Sequence, residues 1–338
     1  MKLIEELFSP SQFTLLTAPV AAGKTRLVVE FYRANQYKVI FVSPLRALAN
    51  EVHARLASTD KNIFLAGGDQ PLEDILNKFL SARKSFLVAT MELLSEDFLE
   101  ACCNQHEKIL FILDEFHLFY HWGDSFRPIL HDRFLAILDT QSPVLGITAT
   151  MSLALLEKLK EDLAYHNDCW FYIDYGNHQL HRRPKTIHCF HQLKPEIFNR
   201  AMWRELRLKN HSDVFLVFCS YRSEVDELVS RSRRMGFRSI GCVGGEVEQF
   251  LLELKKYKDE VDCIFSTTTL SHGVNLPEIK KVFINYEVKD YDFWLQMVGR
   301  GGRLGTDYEV YTFDKFHSTK KDLLKNRMSI YLSDFVGI

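Results

Sequence analysis

The sequence lacks the cysteine spacing that marks a metal site or a disulfide framework. Its 338 residues include seven cysteines, an odd number, and no two of them form a CxxC pair. They are Cys102, Cys103, Cys169, Cys189, Cys219, Cys242 and Cys263. A scattered set of this kind excludes a disulfide-stapled secreted domain and indicates a reducing, cytoplasmic compartment.

Strong net charge and long apolar runs are absent as well. The net charge is −2, which excludes a protein covered in lysine but permits a localised groove for phosphate groups. No stretch reaches the roughly 18 apolar residues that a membrane span needs, and the N-terminal residues lack the pattern of a signal peptide. We therefore expect a cytoplasmic protein without a membrane partner.

What the chain does contain is a regular alternation of apolar runs and helical patterns. Predicted strands cover residues 13–17, 38–43, 63–66, 85–90, 108–113, 144–148, 170–173, 186–190, 213–219, 239–243, 262–266, 281–285 and 308–313. Predicted helices cover residues 24–35, 45–58, 72–82, 92–103, 126–138, 153–164, 195–208, 224–235, 246–256 and 291–299. Apolar strands separated by helices are typical of parallel sheets covered on both faces, which is an α/β fold.

The length of the chain indicates two domains, because it exceeds the usual upper size of one hydrophobic core. Residues 174–185 have no apolar period and are the best candidate for a linker. The sequence thus predicts two tandem α/β domains, at 1–178 and 186–338. The second repeats the architecture of the first without a phosphate loop of its own.

One segment has the pattern of a phosphate-binding loop. Residues 13–26 read FTLLTAPVAAGKTR, an apolar strand followed by a turn of small residues and a helix that opens at Gly23. Such a turn leaves several N–H groups directed at one place, where Lys24 can reach the β and γ phosphates of ATP and the Thr25 hydroxyl can ligate Mg²⁺. The residues assigned to the nucleotide are Val20, Ala21, Ala22, Gly23, Lys24 and Thr25. Ala18 occupies a position that usually holds glycine, so a coincidental strand–turn–helix remains the alternative.

A pair of acids follows the apolar strand at 108–113. Asp114 and Glu115 begin the motif DEFH. A carboxylate at the carboxyl end of a parallel strand lies beside the phosphate loop, where it can hold Mg²⁺, and a neighbouring glutamate can orient and deprotonate the attacking water. We predict that Asp114 holds the metal and that Glu115 is the base, with a solvated strand end as the alternative.

Four motifs together resemble a known family. TAPVAAGKT, DEFH, Thr148-Ala149-Thr150 and QMVGRGGR at 296–303 occur in the order and rough spacing of the signature motifs of superfamily 2 nucleic-acid helicases. The chain looks like a compact DExH-type member over nearly its whole length. This resemblance implies two RecA-like lobes that use ATP and Mg²⁺. SHGVNLP at 271–277 is similar to a motif of Ski-like unwinding enzymes, and DEFH with the Thr-Ala-Thr motif resembles CRISPR-associated helicase parts.

The resemblance assigns further catalytic residues. Gln296, Arg300 and Arg303 are expected to face the phosphate loop across a cleft, with the arginines neutralising charge on the γ-phosphate as arginine fingers do. Surface charges or other phosphate contacts are the alternative for the arginines. We also expect these two arginines, three positions apart at the start of a helix, to share one face. His117 is expected to link DEFH to the second lobe, with Gln296 as partner and a core histidine as the alternative.

The same resemblance assigns other residues to the nucleotide and the strand, whereas the adenine contact and the last helix are predicted where the chain departs from the family pattern. Gly273 and Asn275 would couple nucleotide and strand across the cleft. The predicted nucleic-acid contacts are Ser43, Pro44, Leu45, Arg46, Gly68, Thr90, Met91, Ser220, Arg222, Gly245, Thr267 and Thr268. Phe8 and Gln12 are candidates for an adenine contact, and Lys315, Lys320, Lys321, Lys325 and Arg327 for a basic final helix. Phosphate contacts position a strand without reading its sequence, so little sequence specificity is expected.

The leading hypothesis is an ATP- and Mg²⁺-dependent helicase or translocase that moves along a single strand, or a tailed duplex, of DNA or RNA. Accessory domains of larger relatives are not expected in a chain of this length, so processive unwinding would need a partner. The alternative is an ATP-switched nucleic-acid clamp, or a helicase subunit of a defence or repair complex, with a nuclease as one possible partner. A small-molecule P-loop kinase is the third reading.

Overall fold

The protein is described here from a computed structural model. It describes residues 12–57, 60–68, 70–103, 109–124, 127–166, 169–257, 260–271 and 274–314. The chain divides into two compact units, Met1–Gln179 and Leu180–Ile338. This division falls inside the predicted linker.

Unit 1 is built on a parallel sheet whose seven described strands run in the order β3-β4-β2-β5-β6-β1-β7. The strands are β1 (Gln12–Thr17), β2 (Lys38–Ser43), β3 (Ile63–Leu65), β4 (Phe86–Thr90), β5 (Ile109–Asp114), β6 (Val144–Thr148) and β7 (Cys169–Asp174). The helices are α1 (Lys24–Ala34), α2 (Arg46–Ala57), α3 (Leu72–Ser81), α4 (Glu96–Cys103), α5 (His117–Gly123), α6 (Ile129–Asp139) and α7 (Leu153–Tyr165).

The core of unit 1 has two layers because its central strands are buried on both faces. Along β5, Phe111 and Leu113 belong to the cluster on one face, and Leu110 and Ile112 belong to the cluster on the other. All six residues of β5 are buried. This is the burial that a continuous apolar run predicts for a parallel strand flanked by helices.

Unit 2 repeats this architecture with a parallel sheet whose described strands run in the order β10-β11-β9-β12-β13-β8. The strands are β8 (Thr186–Cys189), β9 (Val214–Phe218), β10 (Ser239–Cys242), β11 (Cys263–Ser266), β12 (Ile279–Ile284) and β13 (Glu309–Thr312). The helices are α8 (Pro195–Leu208), α9 (Arg222–Arg234), α10 (Val247–Tyr257) and α11 (Tyr291–Val298). The predicted α/β class and the repeated architecture are confirmed.

Three local predictions were wrong. The single helix predicted at 92–103 is a 3₁₀ turn at Met91–Leu93 followed by α4, because Ser95 accepts a hydrogen bond from the Phe98 amide and starts a new helix. The helix α5 was not predicted. Finally, α11 ends at Val298, so the two arginines that follow it do not start a helix or share one face.

Some predictions concern residues outside the described part of the chain. Phe8, Gly273 and the five basic residues between 315 and 327 belong to this group, and only the backbone of Gln12 is described. Within the described residues, no helix combines the length and the apolar character needed to cross a bilayer.

Candidate functional site

The three nucleotide motifs of unit 1 meet at one edge of its sheet. Strands β5, β6 and β1 are neighbours and run parallel, so their carboxyl ends lie side by side. The predicted phosphate loop follows β1. The Thr-Ala-Thr motif begins at the last residue of β6, and DEFH begins at the last residue of β5. A hydrogen bond from the Ala18 amide to the Thr148 carbonyl, at 3.1 Å, ties two of these segments together.

The phosphate loop has the backbone conformation that its small residues permit. Gly23 precedes α1 with φ of 82°, in the left-handed region that favours glycine, and Ala21 has φ of 66°. No side chain caps the helix, and the amides of its first turn have no partners within the helix. Lys24 curls back over the loop, with its Nζ donating to the carbonyls of Ala18 at 3.4 Å and Pro19 at 3.3 Å.

Asp114 lies at the end of a buried strand and is itself only 5% exposed. Burial raises the pKa of its carboxyl to about 7, and the neighbouring Glu115 adds to the rise, whereas the Lys24 ammonium opposes it. No group of three or more His, Cys, Asp or Glu side chains suited to a metal occurs among the described residues. A Mg²⁺ ion at Asp114 would therefore take most of its ligands from water and substrate phosphates, as this ion commonly does.

Glu115 is held in an unusual conformation beside Asp114. Its φ of 47° is rare for a residue with a side chain, and such outliers are concentrated at functional sites. Its Oε2 atom is buried and has no hydrogen-bond partner in the described parts of the chain. A carboxylate oxygen left in this way is available to a substrate or a water molecule.

His117 connects DEFH with the Thr-Ala-Thr motif inside unit 1. Its Nδ1 atom lies 2.8 Å from the Thr148 hydroxyl oxygen and 3.7 Å from the Glu115 carboxylate. The Thr148 hydroxyl donates to the Thr150 carbonyl at 3.0 Å, so the hydrogen-bond pattern places a proton on Nδ1 of His117. The side chain is 2% exposed, which agrees with the core-histidine alternative as far as its own unit is concerned.

The predicted nucleic-acid residues of unit 1 also gather at one edge. Strands β3, β4 and β2 are neighbours, and the predicted residues follow their carboxyl ends. Arg46 is exposed at the start of α2 and donates to the Gly67 carbonyl at 3.3 Å. Gly68 is also exposed. Ser43 and Met91 are fully buried, so in this structure neither residue exposes surface to a nucleic-acid strand.

Arg127 joins two of these segments, and sequence reasoning missed it. Its Nη1 donates to the Pro44 carbonyl at 2.8 Å, and its Nη2 forms an ion pair with Glu92. Its guanidinium also lies over the Trp122 ring, 5.4 Å from the ring centre. Burial would raise the pKa of Glu92, but the hydrogen bond and the charge of Arg127, together with hydrogen bonds from the Glu92 amide and Thr90, hold the pKa below its ordinary value. The aromatic run HLFYHWG begins at the last residue of DEFH and precedes Arg127. This run was the feature of the sequence that could have drawn attention to Arg127.

Unit 2 places its predicted nucleic-acid residues in the equivalent position. Strands β10, β11 and β9 are neighbours. Ser220 and Arg222 follow β9, Gly245 follows β10, and Thr267 and Thr268 follow β11. The Arg222 guanidinium donates to the Gly244 carbonyl and to Glu246, both at 3.0 Å, which links two of the three loops.

The turn after α11 is held by packing that only glycine allows. A Cβ atom on Gly301 would overlap the ring of Tyr308, with Cε2 at 2.6 Å and Cγ at 2.7 Å. Gly302, with φ of 61°, would place a Cβ 2.7 Å from the Thr306 carbonyl oxygen. Tyr308 is buried and its hydroxyl donates to the Arg182 carbonyl at 2.9 Å. The glycines of GRGGR thus have a structural function in unit 2.

The two arginines of this turn have different environments. Arg300 is 1% exposed, and its Nη1 donates to the Val274 carbonyl at 2.6 Å. Arg303 is exposed, and its Nε donates to the Gly299 carbonyl at 3.2 Å. Gln296 is buried on α11, whereas Asn275 is exposed.

Two protein-family profiles match the chain in tandem. The DEAD/DEAH box helicase profile matches residues 2–159, and the Helicase conserved C-terminal domain profile matches residues 194–305. A RecQ-like DNA helicase BLM from Xenopus laevis is 22% identical over 309 residues, which cover 83% of this chain and 21% of that protein. The chain thus spans about a fifth of that relative's length.

Solved structures show the same fold. Saccharomyces cerevisiae Dbp5 bound to RNA and ADP BeF3 has a TM-score of 0.67 and 14% identity, and the match covers 96% of this chain and 83% of that one. Helicase Lhr from Mycobacterium smegmatis, bound to ssDNA and AMP-PNP, has a TM-score of 0.63 and 18% identity, and the match covers 96% of this chain and 45% of that one.

The tandem α/β units, with the phosphate-loop pattern in the first, define the class as proteins with two RecA-like lobes. Within that class the chain belongs to the superfamily 2 helicases, with an N-terminal DEAD/DEAH box helicase domain and a helicase C-terminal domain. The predicted superfamily is confirmed, and the DExH type stays a prediction.

Proposed function

We propose that this chain is an ATP- and Mg²⁺-dependent helicase or translocase that acts on a single strand of nucleic acid. The observation that carries the proposal is the meeting of the phosphate loop, DEFH and the Thr-Ala-Thr motif at one sheet edge of unit 1. The family supports it, because both domains of a superfamily 2 helicase are present.

The residues of unit 1 suit a nucleoside triphosphate with a divalent cation. The amides at the start of α1 and the Lys24 ammonium would bind the phosphates, and Thr25 and Asp114 would hold Mg²⁺. When bound, the ion supplies charge neutralisation at the β and γ phosphates. Glu115, whose Oε2 accepts no hydrogen bond among the described residues, would orient the attacking water and accept its proton.

Residues of unit 2 complete the proposal. Arg303 is the exposed arginine of its turn, and it could approach a γ-phosphate without breaking the packing around Arg300. We assign Arg303 to the charge that develops during hydrolysis, and Arg300 to the support of the loop at Val274. Gln296 stays the predicted partner of His117.

The strand would lie along the carboxyl edges of both sheets. Arg46 and Gly68 in unit 1, and Arg222 and Gly245 in unit 2, are exposed there. Backbone amides and such side chains hold phosphates, so we expect binding that weakens with salt and depends little on sequence.

The test is ATP hydrolysis with and without single-stranded DNA or RNA of equal length, followed by strand displacement from a tailed duplex. A helicase should show stimulated hydrolysis and release of the displaced strand. Stimulated hydrolysis without release would support the ATP-switched clamp, and hydrolysis indifferent to both nucleic acids would overturn both. Lys24→Ala should abolish tight ATP binding, whereas Lys61→Ala, a change at an exposed lysine of the same unit, should not.

A further inference from the structure

The segment that leads out of unit 1 passes over the base of the phosphate loop. We call residues 174–179 the exit segment. Strands β1 and β7 are paired in parallel with Thr17 opposite Asp174, so the exit segment and the phosphate loop leave the sheet at the same level. In the strand order β6-β1-β7, the exit segment must cross β1 to reach the loop that follows β6.

The start of the exit segment is fixed against β1 by a dense set of hydrogen bonds. The Tyr175 amide donates to the Thr17 carbonyl at 2.8 Å, and the Thr17 hydroxyl donates to the Asp174 carboxylate at 3.0 Å. The same carboxylate oxygen accepts from the amides of Gly176 at 2.8 Å and Asn177 at 2.7 Å. The turn of the exit segment is therefore defined by the end of β1.

The exit segment also touches the phosphate loop directly. The Val20 amide donates to the Gln179 carbonyl at 2.9 Å. Gly176 has φ of 132°, and a Cβ atom there would lie 2.9 Å from Cγ of Pro19. A shift of the phosphate loop would thus change the hydrogen bond to Gln179, the last residue before unit 2 begins at Leu180.

Asn177 makes the third connection, to the loop after the Thr-Ala-Thr motif. Its Oδ1 accepts from the Met151 amide and its Nδ2 donates to the Met151 carbonyl, both at 2.8 Å. The neighbouring His178 amide donates to the Ala149 carbonyl at 3.0 Å. The Asn177 side-chain amide thus hydrogen-bonds both the N–H and the C=O of Met151, as a neighbouring strand would. These two bonds fix the position of Met151.

From Met151 the connection continues to the predicted base. The Thr150 amide donates to the Thr148 hydroxyl at 3.2 Å, and that hydroxyl is bonded to His117, whose ring lies beside Glu115. The route from the exit segment to Glu115 therefore runs through hydrogen bonds as far as His117 and ends on a 3.7 Å contact between the His117 ring and the Glu115 carboxylate. Such a series can carry coupling between sites, and coupling is a measurable quantity.

We propose that Asn177 is a positioning residue that ties the loop after β6 to the exit segment and so supports nucleic-acid-stimulated ATP hydrolysis. The inference rests on the proposed function, because it concerns the stimulation of that hydrolysis. Asn177 touches neither substrate nor the reacting atoms in this account. It sets the position of residues 148–151, and through them the orientation of His117 and Glu115.

Two substitutions separate this role from general support of the fold. Asn177→Asp has the same shape and keeps the acceptor for the Met151 amide, but it replaces the donor with an oxygen that faces the Met151 carbonyl. Asn177→Ala removes both bonds. Asn62→Ala is the matched control, because Asn62 is an exposed asparagine in a turn of the same unit.

The first measurement is hydrogen–deuterium exchange across residues 148–151, without nucleotide. In the wild-type chain we expect single-stranded oligonucleotide to change this exchange, and in Asn177→Ala we expect faster exchange that no longer responds to it. This measurement does not need ATP turnover. If the wild type fails to hydrolyse ATP, the proposed function is wrong, but the connection between Asn177 and Met151 can still be tested. Exchange equal to wild type in Asn177→Ala, with the same response, would overturn the tie.

The second measurement is the nucleic-acid stimulation of ATP hydrolysis. We expect both variants to keep the wild-type KM for ATP and to lose about tenfold in stimulated kcat, the effect expected for lost part-buried hydrogen bonds. The losses from Asn177→Ala and Thr148→Ala should be less than additive, because both interrupt one connection. Wild-type stimulation, or equal losses in basal and stimulated rates with a raised KM, would refute a positioning role. If Asn177→Ala fails to fold, Asn177→Asp decides.

Discussion

At the scale of single residues, the unusual chemistry of unit 1 is concentrated in Asp114 and Glu115. Asp114 is buried at the end of an apolar strand, and Glu115 is held at a positive φ beside it. Burial of the Asp114 carboxyl, with the Glu115 carboxylate beside it, explains why the pKa of Asp114 is raised. The site is therefore prepared for a cation.

This state of Asp114 predicts a pH-dependent metal affinity. The raised pKa, about 7, means that the carboxyl keeps its proton below neutral pH, and the proton must leave before the oxygen can ligate Mg²⁺. We expect Mg²⁺-dependent binding of a fluorescent ATP analogue to weaken as the pH falls below about 7 and to level off above it. Calorimetry in buffers of different ionisation enthalpy should detect the released proton. Asp114→Asn should remove the dependence, and an equal affinity at acid and alkaline pH in the wild type would contradict the assignment.

Glu115 offers a test of the proposed base. Glutamine has the same shape but cannot accept the proton, so Glu115→Gln should keep ATP affinity and lose about 100-fold or more in hydrolysis, as general-base removal commonly does. Single-turnover hydrolysis and equilibrium ATP binding measure the two quantities separately. Glu73→Gln, at an exposed position of α3, is the control. Persistent turnover would mean that another group positions the water.

At the scale of elements, the turn that follows α11 shows how packing determines a motif. Gly301→Ala should destabilise unit 2 by about 1–3 kcal/mol, because a Cβ there overlaps the buried Tyr308 ring. Thermal unfolding measures the loss. Adding Tyr308→Leu to Gly301→Ala should cost less than the sum of the single changes. Gly236→Ala, where φ is 88° and a Cβ meets nothing within 4 Å, should show no such coupling, and strict additivity at Gly301 would disprove the overlap.

The elements also show how far the sequence alone predicts this structure. Apolar runs located β2 and β6 at their observed bounds, because buried parallel strands are continuous in sequence. The helix at 92–103 was predicted in one piece because its apolar spacing hides the stop at Leu94, where a Ser95 cap begins α4.

The candidate site was predictable only in part. Lys24 and Asp114 follow strands that neighbour β6, so their convergence follows from the fold class. The contacts of Arg127 and Asn177 join residues 83 and 26 positions away in the chain. No local period records a contact of that kind, so it becomes visible only when the chain is folded. The difference in burial between Arg300 and Arg303 likewise becomes visible only in the folded chain.

At the scale of the whole molecule, two units with separate cores each present loops at the carboxyl edge of a parallel sheet. In each unit the predicted strand-binding loops follow three neighbouring strands, β3-β4-β2 in one and β10-β11-β9 in the other. This correspondence is what a duplicated binding surface requires, and it was not visible in the separate short motifs. The nucleotide loop occurs in unit 1 alone among the described residues, so unit 2 would contribute to hydrolysis through its arginines.

Arg303 provides the test of that contribution. Because it belongs to unit 2 and the phosphate loop belongs to unit 1, its removal should leave ATP binding largely intact while slowing hydrolysis by about 10³–10⁵, the range reported for arginine fingers. Equilibrium binding of an ATP analogue and the single-turnover rate distinguish the two effects. Arg234→Ala, an exposed arginine at the end of α9, should change neither.

Arg300→Ala should behave differently from Arg303→Ala. The Arg300 side chain is buried against the Val274 carbonyl, so its loss should lower the thermal stability of the protein together with the rate. A normal hydrolysis rate in Arg303→Ala would show that the exposed arginine is not the group that meets the γ-phosphate. The role would then pass to Arg300, and the turn after α11 would have to repack during each catalytic cycle.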